Sequence, residues 1–319
     1  MRELAAKFVP AADEVYRLQN GTDTECRFFQ KFAEKGHYGS RPGASRQGTY
    51  AVTPGGELLA SVNSNNPERI ATLLRDALAK WEKLAPGDRL PAGNPKGQAP
   101  DLRRAERHYP DGGLVLHVYS RDLPRADEAA GWRGKAWNQD YAWFQKQEAR
   151  RFLPAEVRVG QKHDVPAPLV RRLARAHLVD NVRGQTRPFD EKHVETARLT
   201  AEVKAVDGDV VSLRLDGATR AAAEGTWPVG GLRGGRNATP QKRGYEAALL
   251  GKATYDVKAE RFLTFELVAV GTRWGATQFN VRRDDPGPAP MGVLFTLAGD
   301  GPWERVAPAF FHEVYRWNR

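Results

Sequence analysis

From Ala197 to Ala223 the chain reads ARLTAEVKAVDGDVVSLRLDGATRAAA, two runs of alternating apolar and polar residues on either side of VDGDV. Side chains of a strand point alternately to its two faces, so this alternation demands a sheet with one covered face and one wetter face. Asp207 and Gly208 supply the tight turn that joins the two runs as a hairpin. The pattern returns with longer runs in YEAALLGKATYDVKAERFLTFELVAVGTRWG, from Tyr245 to Gly275, and again in MGVLFTLAG from Met291. At least five strands therefore occupy the last half of the chain. Such a succession makes a mainly antiparallel domain, sandwich or barrel-like, decorated by a few helices.

Upstream of those strands, GGLVLHVYSRDL favours another buried strand. WNQDYAWFQKQEARRFL places Trp137, Tyr141, Phe144 and Phe152 near a helical stripe. Pro166 and Pro168 open a helix with Leu169, Val170, Leu173, Ala174 and His177 on one face. The stretch 84–101, LAPGDRLPAGNPKGQAPD, has no apolar period and is rich in Pro and Gly, the composition of a linker. A chain of 319 residues is long for one domain. The expected organisation is a small module over 1–84, a linker over 85–101 and a β-rich domain over 102–319, α+β in class.

Within the first module, residues 2–7 end a helix, and the apolar run FVPAADEVYRL that follows is limited by Pro10 to an edge or irregular strand. Cys26, Phe29, Phe32 and Ala33 then share the buried face of a helix capped by Asp23 or Thr24. Two short strands, TYAV and ELLASV, are joined by TPGG. Asn66 caps a helix that carries Ile70, Leu73, Leu74, Ala77, Leu78, Trp81 and Leu84 at intervals of three and four. This order of helix, strand, helix, strand pair and helix, with GTYAVTPGGELL at its centre, resembles the later part of a thioredoxin-like fold. The resemblance implies a redox-inactive or truncated module. The opening strand and the Cys-x-x-Cys helix start have no counterpart, and Gly48 stands where such modules place a cis-proline. Alternatively the recorded start is internal, and a strand followed by Cys-x-x-Cys is encoded upstream.

The single cysteine excludes an intrachain disulfide framework and every multi-cysteine zinc or iron–sulfur site. The N-terminus lacks the apolar core of a secretory signal, and no run approaches the roughly 20 apolar residues of a membrane-spanning helix. The default expectation is a soluble protein of the cytoplasm. A net charge of +10 favours anionic partners. The cations are scattered among acids without interleaved aromatics, which argues against a dedicated nucleic-acid site. Dinucleotide and Walker glycine spacings, the serine nucleophile elbow and the two-histidine zinc helix do not occur.

Three groups of residues could carry chemistry. Cys26, in the first turn of its helix, has the position of a reactive thiolate, although its register with Phe29 and Phe32 also suits core packing. His163, His177 and His193 fall in one segment, and Glu191, His193 and Glu195 share a face if DEKHVE is extended. That set could ligate a divalent metal or serve as acid and base. In HLVDNVRGQTRPF, Arg183 and Arg187 flank Gly184 and could fork around a carboxylate or phosphate. They could equally pin the loop to its own domain through buried salt bridges with Asp180 or Asp190. Arg273 beside Trp274, at the glycine-bounded end of a strong strand, could line a pocket mouth.

The leading expectation is a non-redox binding or interaction protein, with an anionic small molecule or polymer held near Arg183, Arg187, Arg273 and Trp274. The alternative is an enzyme, either metal-dependent or metal-handling through the histidines, or a thiol enzyme through Cys26.

Overall fold

The computed structural model describes residues 2–13, 15–39, 45–90, 105–126, 131–230 and 237–317, and its contacts separate the chain into two units, Met1–Pro100 and Asp101–Arg319. The first unit opens with α1 (Arg2–Ala5), α2 (Val15–Asn20) and α3 (Thr24–Ala33). The Asp23 carboxylate caps α3 by accepting from the Cys26 N–H at 2.9 Å. Phe29, Phe32 and Ala33 bury with Val15 and Leu18 of α2. The strand expected over residues 8–18 is therefore corrected. Pro10 withholds a ladder donor, and Val15 and Leu18, three apart, reach the aromatic face of α3 together from a helix.

Next, β1 (Thr49–Val52) and β2 (Leu58–Val62) pair as an antiparallel hairpin, the whole of that sheet. Gly56 takes the positive φ of +82° that the turn requires. The side chain of Asn66 accepts from the Glu68 N–H at 2.8 Å and starts α4 (Pro67–Lys83), whose Leu73, Leu74 and Ala77 bury against Ala51 and Leu59. Most of the expected linker, from residue 91 onward, lies outside the described residues.

In the second unit, β3 (Leu114–Asp122), α5 (Trp132–Lys135), β4 (Trp137–Phe144), α6 (Lys146–Arg150), β5 (Lys162–Asp164) and α7 (Ala167–Ala176) precede five further strands. These are β6 (Val194–Asp207), β7 (Val210–Trp227), β8 (Thr239–Asp256), β9 (Arg261–Trp274) and β10 (Ala289–Leu297). All eight strands form one antiparallel sheet, in the order β4-β3-β10-β9-β8-β7-β6-β5. The sandwich alternative is thus corrected to a single sheet. Asp207 pairs with Val210 across a turn in which Gly208 has φ +56°.

Strands of up to 18 residues accumulate twist, and the sheet curls. Phe152, just after α6, touches Phe144 of β4 at 5.2 Å and Phe265 of β9 at 5.9 Å between ring centroids, although those strands are three places apart. Inside the curl, α7 lays Leu169, Val170 and Leu173 against the inward residues Leu199, Ala201, Leu213 and Leu215 of β6 and β7. Trp137, Tyr141 and Phe144 belong to a strand, not to the helical stripe expected for them. Ala142 and Phe144 enter the inner core, while Tyr141 and Trp143 bury on the other face. The C-terminal segment covers that second face through Phe311, Tyr315 and Trp317, with Phe311 at 5.6 Å and Trp317 at 6.3 Å from Trp143.

Candidate functional site

One end of the curled sheet is closed by charge. Asp122 ends β3, Arg273 lies near the end of β9, Asp180 and Arg183 follow α7, and Arg282 and Asp285 lie between β9 and β10. Arg282, with no solvent exposure, forks to Asp122 at 2.7 and 2.8 Å and to Asp180 at 2.8 and 2.9 Å. Arg183 reaches Asp122 at 2.7 Å and Asp285 at 2.8 Å, and Arg273 reaches Asp285 at 2.7 Å. Arg125 joins from beyond β3, at 2.8 Å from Asp285.

Burial alone would push the Asp122 and Asp285 carboxyls up. The surrounding guanidiniums outweigh it and hold both below the usual carboxylate range. For Arg282 burial again opposes the charge, but its hydrogen bonds to Asp122 and Asp180 leave its pKa raised. Arg273, which faces one carboxylate oxygen and two backbone carbonyls, is left lowered by burial and by Arg282 nearby. The network pairs each of its carboxylates with at least one guanidinium and ties three loops over the sheet end.

Beside this plug opens a cleft of about 670 Å³, within the ordinary size range of small-ligand sites. Its walls come from α5, the start of β4, the segment 181–185 and Ala309–Phe310. Trp132 and Trp137 stand 60% and 61% exposed at its edge, a large apolar surface left in water. Lys135, Asn138, Gln139 and Asp140 line the cleft from the same stretch, and Asn181, Arg183 and Gln185 from the loop after α7.

The floor of the cleft is rigid. Asp140 accepts from the Ala309 N–H at 2.9 Å and holds His177 Nδ1 at 3.1 Å. His177 Nε2 meets the Tyr315 hydroxyl at 2.8 Å, and that hydroxyl accepts from the Trp143 N–H at 3.0 Å. A proton on Nδ1 satisfies every member of this chain. Burial raises the Tyr315 phenol. By contrast, the side chains of Lys135, Asn138 and Gln185 bond no other described residue. The Arg183 Nε–H is buried without an acceptor. Arg46, Arg172 and Arg273 carry the same unmet donor, but of the four only Arg183 lines the cleft.

Of the four expected anion-site residues, the structure brings Arg183 and Arg273 together on Asp285. Asp122 and Asp285, rather than Asp180 or Asp190, pair with Arg183. Arg187 is exposed, its carbonyl accepting from Arg243 at 2.7 Å, and Trp274 stacks with Arg220 at 5.3 Å. Neither takes part in the network.

The expected metal set does not converge. His163 bonds the Arg151 carbonyl at 3.0 Å, His177 is held by Asp140 and Tyr315, and His193 stands beside Asp190. Glu191 is paired with Arg171 and Arg175, and Glu195 with Arg220. Residues Glu191–His193 form a 3-10 turn, which removes the alternation that would have put Glu191, His193 and Glu195 on one face. Among the described residues no group of three His, Cys, Asp or Glu could hold a metal ion.

Cys26 is fully buried, and its thiol contacts Asp23 at 3.1 Å and the Arg17 carbonyl at 3.3 Å. Burial and the hydrogen bond to Asp23 push its pKa up, away from thiolate character. Among the described residues no helix is long and apolar enough to cross a membrane.

Sequence reasoning missed Trp132, Trp137, Lys135 and Asp140. The signal was the unusual density of tryptophan, lysine and amide residues in GWRGKAWNQD. No family model, curated protein or solved structure matches the chain.

Proposed function

We propose that the Asp101–Arg319 unit is a non-redox binding module that takes a polar ligand with an anionic group into the cleft beside the charged plug. One observation carries this reading: Lys135, in the cleft wall, is exposed and bonds no other described residue. An ammonium with no carboxylate partner on the rim of a cleft favours an anionic group there. The partner therefore sits beside the plug, away from Arg187 and Trp274.

For the first unit we propose the thioredoxin-like resemblance on its hairpin-then-helix order alone. It implies no dithiol chemistry, because Cys26 is the one cysteine.

The test is calorimetric titration of the full chain with small carboxylates at low and high salt, alongside Lys135→Glu. Saturable binding that weakens with salt and falls roughly tenfold in the variant, equivalent to about 1.4 kcal/mol, supports the reading. Binding indifferent to both salt and Lys135 overturns it.

A further inference from the structure

The lining of the cleft says more than that its ligand is charged. Lipid and steroid sites enclose their ligands in apolar walls, whereas this cleft is open and half of its lining residues are polar. Two exposed indoles, Trp132 and Trp137, belong to its apolar half. A pyranose ring matches that division: one face is a sheet of C–H bonds that covers an indole, and its edge is a row of hydroxyls that both donate and accept. Planar amides answer such hydroxyls with both functions, and the side chains of Asn138 and Gln185 have no partner among the described residues. Asp140, held in place by the Ala309 N–H and His177, offers a fixed acceptor on the same wall.

The charge count then narrows the sugar. A phosphate, with nearly two charges and three acceptor oxygens, calls for several cations or a cluster of backbone N–H groups. This cleft presents one lysine without a carboxylate partner. A single carboxylate on a sugar ring fits that group.

Resting on the anion-binding reading above, we infer that the ligand is an oligosaccharide carrying a hexuronate, its carboxylate at Lys135 and its ring faces on Trp132 and Trp137. Two indoles on one open cleft suit a chain of linked rings better than a monosaccharide.

The deciding experiment titrates the full chain with three probes. Trigalacturonate has rings and carboxylates, maltotriose has rings alone, and tricarballylate has carboxylates alone. Trigalacturonate should bind at least tenfold tighter than either other probe. Trp132→Ala and Trp137→Ala, both exposed positions, should each weaken it roughly tenfold and leave tricarballylate unchanged. Unaltered urea midpoints establish that both variants fold. Equal binding of trigalacturonate and tricarballylate, insensitive to the tryptophans, overturns the saccharide inference and leaves the anion reading standing. Equal binding of trigalacturonate and maltotriose overturns the hexuronate. Binding of none of the three overturns both.

Discussion

Replacing Arg282 by methionine should show what the charged plug does. The two sides of Arg282 are not equivalent. Asp122 keeps Arg183 at 2.7 Å after the change, whereas the hydrogen bonds of Asp180 to a cation are both to Arg282. The Asp180 side chain is 8% exposed, so the variant leaves a buried carboxylate without a counter-charge. Stranding a buried charge in this way costs about 3–5 kcal/mol. For a unit of this length that corresponds to a fall in Tm of about 6–20 °C.

Urea unfolding followed by tryptophan fluorescence reads the effect, since seven of the eight tryptophans belong to the second unit and only Trp81 to the first. Adding Asp180→Asn to the variant removes the stranded charge and should recover roughly 1–3 kcal/mol. The dependence on pH has a sign that can be worked out. In the native protein Asp122 and Asp285 are held below their ordinary value, so their contribution is present above about pH 4 and is lost as pH falls through the depressed values. A loss under about 1 kcal/mol, or a double variant no more stable than the single one, would refute the reasoning.

Two further outcomes are expected. Cys26 should react with a thiol reagent at least tenfold more slowly in the native protein than in urea at the same pH, because its thiol is buried and its pKa raised; equal rates would contradict this. Gly271→Ala should cost about 3 kcal/mol or more in a urea titration, since the added carbon would stand 1.8 Å from the Glu246 carbonyl oxygen on the paired strand. An unchanged midpoint would mean that β8 and β9 are not in this register.

Much of the β-rich unit was legible because its strands bury one face. Leu199, Ala201 and Val203 alternate in the sequence as they do in the sheet. The helix of Pro67–Lys83 was equally plain, for Asn66 and the spacing of three and four act locally. Reading failed where two coverings meet. Strand β4 buries both faces, and its aromatic residues at 137, 141 and 144 imitate a helical period. The plug was half visible. Arg183 and Arg273 were singled out, but Asp122 and Asp285 stand far from Arg183 along the chain, so nothing local tells a neutralised arginine from a free one. The histidines failed for a related reason, because nearness in sequence placed them on elements that face different ways.

The pairing of β3 with β10 has a bearing on how the unit is made. Every other neighbour in the sheet comes from the adjacent strand in the chain, so those hairpins can form as they leave the ribosome. The first strand must wait for the last. Until β10 emerges, β3 and β9 each present an unpaired edge, and loop-closure entropy sets the delay before the two halves of the sheet meet. The segment ending at Trp317, which covers Trp143, arrives later still. Completion of the sheet thereby waits for the segment from Ala289 onward, and the interval in which strangers can add to those edges is greatest for this one junction.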